Sequence, residues 1–160
     1  MSVRPIRPDD VPAVVALVRE LADYERAVHE AKLTEEQLTG ALFGDSPALF
    51  GHVAVDGDGD GEVVGMALWF LNFSTWRGTH GIYLEDLYVQ PQHRGAGLGK
   101  ELLRTLAAVC VERGYSRLEW SVLDWNTPSI EFYKAAGAVP LDEWTVFRLT
   151  DDALAAFATG

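Results

Sequence analysis

Apolar residues divide this chain into short runs of two periods, one of strands and one of helices. Residues 3–7 read as a short first strand. Asp9 or Asp10 can cap a helix, and Pro12 is tolerated in its first turn. Val11, Val14, Val15, Val18, Leu21 and Ala22 form that helix's apolar face, with Tyr24 and Glu25 at its end. Thr34-Glu35-Glu36-Gln37 is a capping box that opens a second helix, and Gly44 stops it. Residues 49–55 and 63–70 read as strands around the run Asp56-Gly57-Asp58-Gly59-Asp60-Gly61, and residues 72–81 as a loop holding Trp76 and Arg77. Residues 83–89, aromatic and branched, form the next strand, which Pro91 ends. Leu98, Leu102, Leu103, Leu106, Ala107 and Cys110 then recur at helical spacing up to Arg113-Gly114. Residues 117–122 read as a fifth strand, 130–136 as a short helix opened by Asn126-Thr127-Pro128-Ser129 and stopped by Gly137, and 145–149 as a last strand. Asp151 or Asp152 starts a terminal helix. This order predicts one mixed α/β domain over residues 1–160. Its strand–helix–strand crossover lays 83–89 and 117–122 side by side in parallel.

The chemistry concentrates between that central strand and the long helix after it. Arg94-Gly95-Ala96-Gly97-Leu98-Gly99-Lys100 is a turn of bare backbone running into a helix N-terminus. Glycines let a ligand come close, and unpaired N–H groups point at it, with Arg94 as a positive charge beside them. This predicts a pyrophosphate cradle. The phosphate loop of nucleoside triphosphatases is excluded, because Gly99-Lys100 is followed by Glu101 and the position five before Gly99 is Arg94. The dinucleotide pattern fails as well, since the third glycine, Gly99, comes one residue early. Arg-x-x-Gly-x-Gly fits as Arg94, Gly97 and Gly99; Gln92, Gly95 and Gly97 also fit, and the distance from the strand favours the later register.

Composition narrows the field. Of 160 residues, 48% are hydrophobic, which fits a globular domain. No apolar run approaches membrane-spanning length, and Arg4, Arg7, Asp9 and Asp10 interrupt the start where a signal peptide would lie. Cys110 stands alone on an apolar stripe, so neither a disulfide framework nor a cysteine metal cluster is expected, and a cytoplasmic home fits. A net charge of −11 argues against nucleic acid and would draw cations such as amines to the surface. Asp56, Asp58, Asp60 and Gly61 match the first half of a calcium loop, but its twelfth position is Ala67, so the run reads as a hairpin tip and no metal is expected.

The glycine turn resembles the first signature of the GNAT acyltransferase superfamily, Gln/Arg-x-x-Gly-x-Gly/Ala. Asn126-x-Pro128-Ser129-x-x-Phe132-Tyr133 is similar to its second, Asn-x-x-Ser/Ala-x-x-Phe/Leu-Tyr. Further stretches resemble the spermidine/spermine (diamine) N-acetyltransferase branch. They are Leu21-Ala22-x-Tyr24-Glu25, Leu33-Thr34-Glu35, Tyr83-Leu84-Glu85-Asp86-Leu87-Tyr88-Val89, Glu119-Trp120, and Trp125-Asn126 through Lys134. The resemblance implies a mostly antiparallel sheet, flanked by helices, with a parallel strand pair splayed at the acetyl-CoA site. It implies acetyl-CoA held by Leu87, Tyr88 and Val89, by Arg94, Gly95, Ala96, Gly97, Leu98, Gly99 and Lys100, and by Asn126, Pro128, Ser129 and Tyr133. Tyr133 would protonate the leaving thiolate and Glu85 would act as base. Tyr24, Glu25, Trp76, Glu85, Asp86, Asp142, Glu143 and Trp144 would line the pocket of a small cationic amine, and the enzyme would be a homodimer. One departure stands out: the polyamine enzymes carry Asp-Pro-Trp where this chain has Ser74-Thr75-Trp76, which leaves shorter acceptors, including thialysine-like amino acids, in play.

Amine chemistry asks for the same parts. An alkyl ammonium has a pKa of about ten and must lose a proton before it attacks. Glu85 or Asp86 can take it; adjacent on a strand, they are expected to face opposite sides. A backbone donor such as the Val89 N–H would meet the developing oxyanion. No Cys–His or Ser–His pairing signals a covalent intermediate, and His29, His52, His80 and His93 read as scattered surface or loop residues. The expected activity is therefore amine N-acetylation by direct attack in a ternary complex. The alternatives are acetylation of a protein lysine or N-terminus, or a catalytically silent CoA-binding sensor.

Overall fold

The computed structural model describes residues 1–160, which divide into two compact units, Met1–Leu123 and Asp124–Gly160. The first unit holds a five-stranded sheet in sequential order: β1 (Ser2–Pro5), β2 (Phe50–Asp56), β3 (Glu62–Ser74), β4 (Thr79–Val89) and β5 (Leu118–Glu119). Neighbours are antiparallel except β4 and β5, which run parallel. Its helices are α1 (Val11–Tyr24), α2 (Glu35–Phe43) and α3 (Leu98–Arg113).

Period-two patterning sets which face each strand buries. Val53 and Val55 of β2, Met66 and Leu68 of β3, and Tyr88 of β4 pack with Val11, Val14, Val15 and Leu17 of α1 and Leu38 and Leu42 of α2. Thr34 caps α2 as the capping box predicts: its Oγ1 accepts the Gln37 N–H at 3.1 Å, and Gln37 Oε1 accepts the Thr34 N–H at 3.1 Å. Asp10 does not cap α1 with its side chain. Its buried carboxylate turns back to the partly buried Arg4, with bonds of 2.7 and 3.0 Å, and also accepts the Arg7 N–H at 2.7 Å. The acidic run is the tip of the β2–β3 hairpin, held by Arg4 Nε on the Gly59 carbonyl and by Arg7 on Asp60. Cys110 is buried, its Sγ 3.5 Å from the Arg117 carbonyl.

In this unit three expectations need correction. The segment 72–81 is mostly strand: β3 and β4 pair from Ser74–Thr79 inward, leaving a turn in which Ser74 Oγ accepts the Arg77 N–H at 3.0 Å. Aromatic and branched residues such as Phe73 and Ile82 continue the ladder where Asn72 and the polar tip suggest loop. The fifth strand is two residues long rather than 117–122, because it pairs with β4 only at Ile82–Leu118 and Tyr83–Glu119. His52 is not a surface residue but a buried member of β2, whereas His80 is at the surface as expected, on β4.

The second unit holds α4 (Thr127–Ala135) and α5 (Asp151–Ala158). Residues 145–149, expected as a strand, are not one. A strand exists only through a ladder partner, and this segment has none, so alternation alone was insufficient. Asn126 caps α4, its Oδ1 accepting the Ser129 N–H at 3.3 Å, with Pro128 in the first turn.

Candidate active site

Within the first unit, the site is built around an irregularity in β4. Leu68 stands opposite Asp86 and Trp69 opposite Leu84, so Glu85 has no partner and forms a bulge. The extra residue breaks the alternation of β4, so Leu84 and Asp86 lie on opposite faces of the sheet. The carboxylates of Glu85 and Asp86 act on one another and on Glu25 at the end of α1. Burial, then the charges of Glu85 and Glu25, push the Asp86 carboxyl up to about 7. Burial and Glu85 raise Glu25 as well. Three carboxyls thus crowd one patch, and the most buried is half-protonated near neutral pH.

Just beyond, β4 loses its neighbour. Past Tyr83 no residue of β5 pairs with it, although the Tyr83 hydroxyl still meets Ser121 Oγ at 2.7 Å. The Gln90 N–H donates to the Val64 carbonyl of β3 at 2.9 Å. By alternation, Leu87 and Val89 turn their main-chain groups toward the open side. An extended ligand can add itself along such an edge.

The glycine turn follows directly. Gly97 caps α3 with φ +82°, and Gly95 has φ +90°; at both, an added Cβ would meet open space. Glycine is needed there for the left-handed backbone, and the cleared space faces outward. The Glu101 N–H is the first to find an intrahelical acceptor, Gly97 O at 2.9 Å. The N–H groups of Gly97, Leu98, Gly99 and Lys100 precede it, and Gly97 brings no side chain to cap them. This donor set, at the positive end of a 16-residue helix, fits a diphosphate.

Arg94, expected as a fixed positive charge beside the cradle, is anchored by its neighbours. Its Nε donates to the Val89 carbonyl at 2.9 Å, and its guanidinium lies 5.5 Å from the ring centre of Tyr24 and 5.4 Å from that of Tyr88. It straps the glycine turn to α1 and β4. Three residues that the sequence did not single out join this wall: Gln90 Nε2 donates to Glu20 Oε2 at 3.1 Å, and the charges of Glu20 and Asp23 add to burial in raising the Tyr88 hydroxyl. Their spacing, Glu20, Asp23 and Tyr24 on one helical face, was a readable signal.

The structure therefore gathers Tyr24, Glu25, Glu85, Asp86, Tyr88 and Arg94. It does not bring Trp76 to them within the unit. Trp76 is 85% exposed in the β3–β4 turn, and roughly 20 Å of strand separates that turn from Glu85. In the second unit, Tyr133 lies on α4, its ring 5.5 Å from that of Phe132. Asp142, Glu143 and an exposed Trp144 lie in the irregular stretch before α5.

Comparison with known proteins agrees with this geometry. Residues 14–138 match the acetyltransferase (GNAT) family. The chain is 38% identical to bovine (Bos taurus) thialysine N-epsilon-acetyltransferase over 96% of its own length and 95% of the relative's. It is 31% identical to an L-ornithine N5-acetyltransferase of Arabidopsis thaliana, over 96% of this chain and 86% of that one. Among solved structures, an integron cassette protein from the mobile metagenome of V. cholerae superposes with a TM-score of 0.82 at 24% identity, covering 99% of this chain and 98% of that one. A central bulge, a splayed parallel pair and a glycine turn entering a helix, together with these matches, place the chain in the GNAT acetyltransferase family.

Proposed function

We propose that this protein transfers an acetyl group from acetyl-CoA to a primary amine of a small cationic acceptor, a diamine, a polyamine or a thialysine-like amino acid. The observation that carries the reading is the carboxyl group of three, Glu25, Glu85 and Asp86, at the splayed edge of β4. Such a patch favours an alkyl ammonium, and a carboxyl near 7 is matched to taking a proton from it at neutral pH. The names of the bovine and Arabidopsis relatives specify acetylation at a terminal nitrogen of an amino acid, an acceptor of this chemistry.

Acetyl-CoA would supply the activated thioester. The amides of Gly97, Leu98, Gly99 and Lys100, with Gly95 and Ala96 leaving room, would hold its diphosphate. Main-chain groups of Leu87 and Val89 would align its arm against Tyr88, and the Val89 N–H would meet negative charge as it develops on the acetyl oxygen. In this reading Asp86 is the proton acceptor, directly or through water, while Glu85, Glu25 and Tyr24 hold the cation. Tyr133 would return a proton to the leaving thiolate, with Asn126, Pro128 and Ser129 fixing the start of its helix. That role rests on the similarity of residues 126–133 to the second signature. Trp76, Asp142, Glu143 and Trp144 would decide how long an acceptor is taken. Direct attack in a ternary complex accounts for every group invoked. We further take the working unit to be one catalytic domain per chain in a cytoplasmic homodimer that uses no metal. No helix is long and apolar enough to cross a membrane.

Thiol release from acetyl-CoA, measured with 1,3-diaminopropane, spermidine, thialysine, ornithine and a lysine-containing peptide, tests the proposal. Turnover with the small amines is expected. Preference for the peptide, or no turnover with any acceptor, would overturn it.

A further inference from the structure

A cavity lies away from all of these residues. It has a volume of about 280 Å³ and is bounded by β1, by β2 and β3, and by the ends of α2 and α3. Its walls include Phe43, Phe50, His52, Trp69, Val109 and Arg113. The register puts it on the far face of the sheet from Asp86. Leu68, paired with Asp86, packs toward α1, and Trp69, next along β3, points the other way. Phe50 pairs with Trp69 across the ladder, and their rings stack at 4.9 Å.

Two polar groups face this apolar chamber without a protein partner for their donors. Trp69 Nε1–H can only donate, and it donates to His52 Nδ1 at 3.2 Å. His52 is therefore the neutral tautomer with its proton on Nε2. The residue is 9% exposed, its Nε2–H meets no acceptor in the protein, and it is not sealed from the cavity it lines. Arg113, at the mouth, lies over the rings of Trp69 and Tyr115 at 5.8 and 5.9 Å and forms no ion pair. That is notable in a chain with 24 acidic residues against 13 basic ones, where a carboxylate partner would be easy to supply. Arg113 and His52 line the same cavity, so both present their donors to whatever occupies it.

We propose that this cavity is a binding site for a small carboxylate with an apolar, aryl-sized body. The carboxylate is held by Arg113 and the His52 Nε2–H, and the body lies against Phe50, Trp69 and Val109. An anion satisfies both donors where an amine would leave them unpaired and add a like charge beside Arg113. The volume is at the small end for ligand sites and suits an arylacetic acid. The site is distinct from the acetyl-transfer site and does not depend on which amine is acetylated.

The test uses the full chain with phenylacetate as probe, and phenylacetamide and phenethylamine as controls. Calorimetry is run with and without saturating acetyl-CoA. The indole N–H resonance of Trp69, assigned through Trp69→Phe, is followed by NMR. Saturable binding with a Kd of about 1 mM or tighter is expected for ten heavy atoms, with the Trp69 resonance shifted, no competition from acetyl-CoA, and neither control binding. Arg113→Gln should weaken binding about tenfold or more, and Val109→Phe should abolish it by filling the chamber, both with acetyl transfer intact. No binding at 10 mM, equal binding of the amide, an unshifted Trp69 resonance, or displacement by acetyl-CoA would each overturn the proposal.

Discussion

Asp86 is a carboxylic acid whose surroundings resist its charge, and that resistance reaches both rate and stability. Its folded value of about 7 lies above the ordinary value of 3.8, so between the two the folded chain holds a proton that the unfolded chain has lost. Stability from this group therefore falls as pH rises through that window and levels off above about 7. Asp86→Asn should melt at the same temperature as the parent near pH 4, then gain on it as pH rises, by on the order of 5 °C at pH 8. Parallel melting curves would remove the strain. In the transfer reaction the same group is useful only once ionised. kcat/KM for a diamine should rise through pH 7, and the asparagine variant should lose that limb and about a hundredfold or more in rate. His52 runs the opposite way. Burial, then the charge of Arg113, lower its pKa, so its contribution is whole above about 6.5 and is lost as pH falls through the lowered value. His52→Gln keeps an acceptor for Trp69 and does not titrate, so thermal melts of the pair should diverge only below about pH 6.5. Tyr133→Phe should lower kcat with the affinity for acetyl-CoA nearly unchanged; a collapse in affinity, measured by calorimetry, would make the ring structural instead.

At the scale of elements, the turn before α3 separates backbone strain from ligand binding. Gly97→Ala imposes a left-handed backbone on an L-residue, at about 1–2 kcal/mol, and puts a methyl group into the space kept clear above the helix amides. Gly57→Ala, at φ +102° in the β2–β3 tip, imposes similar strain with no ligand nearby. Both should lower Tm by a few degrees, but only Gly97→Ala should raise KM for acetyl-CoA, tenfold or more. Equal KM values would detach the turn from the cofactor. These helix entries were legible in the sequence because their signals are local: Thr34 and Gln37 bond each other, and glycine sits where φ is positive. Strand extents were not. The length of β5 depends on where β4 bends away from it, and the bend depends on Glu85, whose missing partner leaves no trace in composition or period. The three-carboxyl patch was half legible for the same reason. Glu85, Asp86 and Glu25 were named as candidates, but period two alone would have put Leu84 and Asp86 on one face, and the register separates them.

For the whole molecule, charge is the dominant property. At −11, the chain attracts a dication and repels a CoA anion. Raising salt from about 20 to 300 mM, across the range where screening sets in, should therefore raise KM for a diamine several-fold and lower KM for acetyl-CoA. Shifts of the same sign for both substrates would show that local contacts, not the overall field, govern encounter. Composition alone made this property readable, whereas the cavity on the far face of the sheet was not. Phe50, His52, Trp69 and Arg113 come from three separate segments, and nothing in their spacing links them.

The bulge at Glu85 has a consequence for how such a chain can change length. A strand knows only odd and even, and one surplus residue hands the positions beyond it to the other side of the sheet. Removing Glu85 would not merely delete a charge. It would leave Leu84 and Asp86 consecutive opposite Trp69 and Leu68, so the ladder would become regular while Ile82 and Leu84 keep one side and Asp86 and Tyr88 the other. Loss of the surplus residue preserves the lining of both faces, whereas loss of a paired residue elsewhere in β4 exchanges them on one side of the cut. Deletion of Glu85 alone should therefore leave a folded chain, whereas deletion of Leu84 or Tyr88 should not.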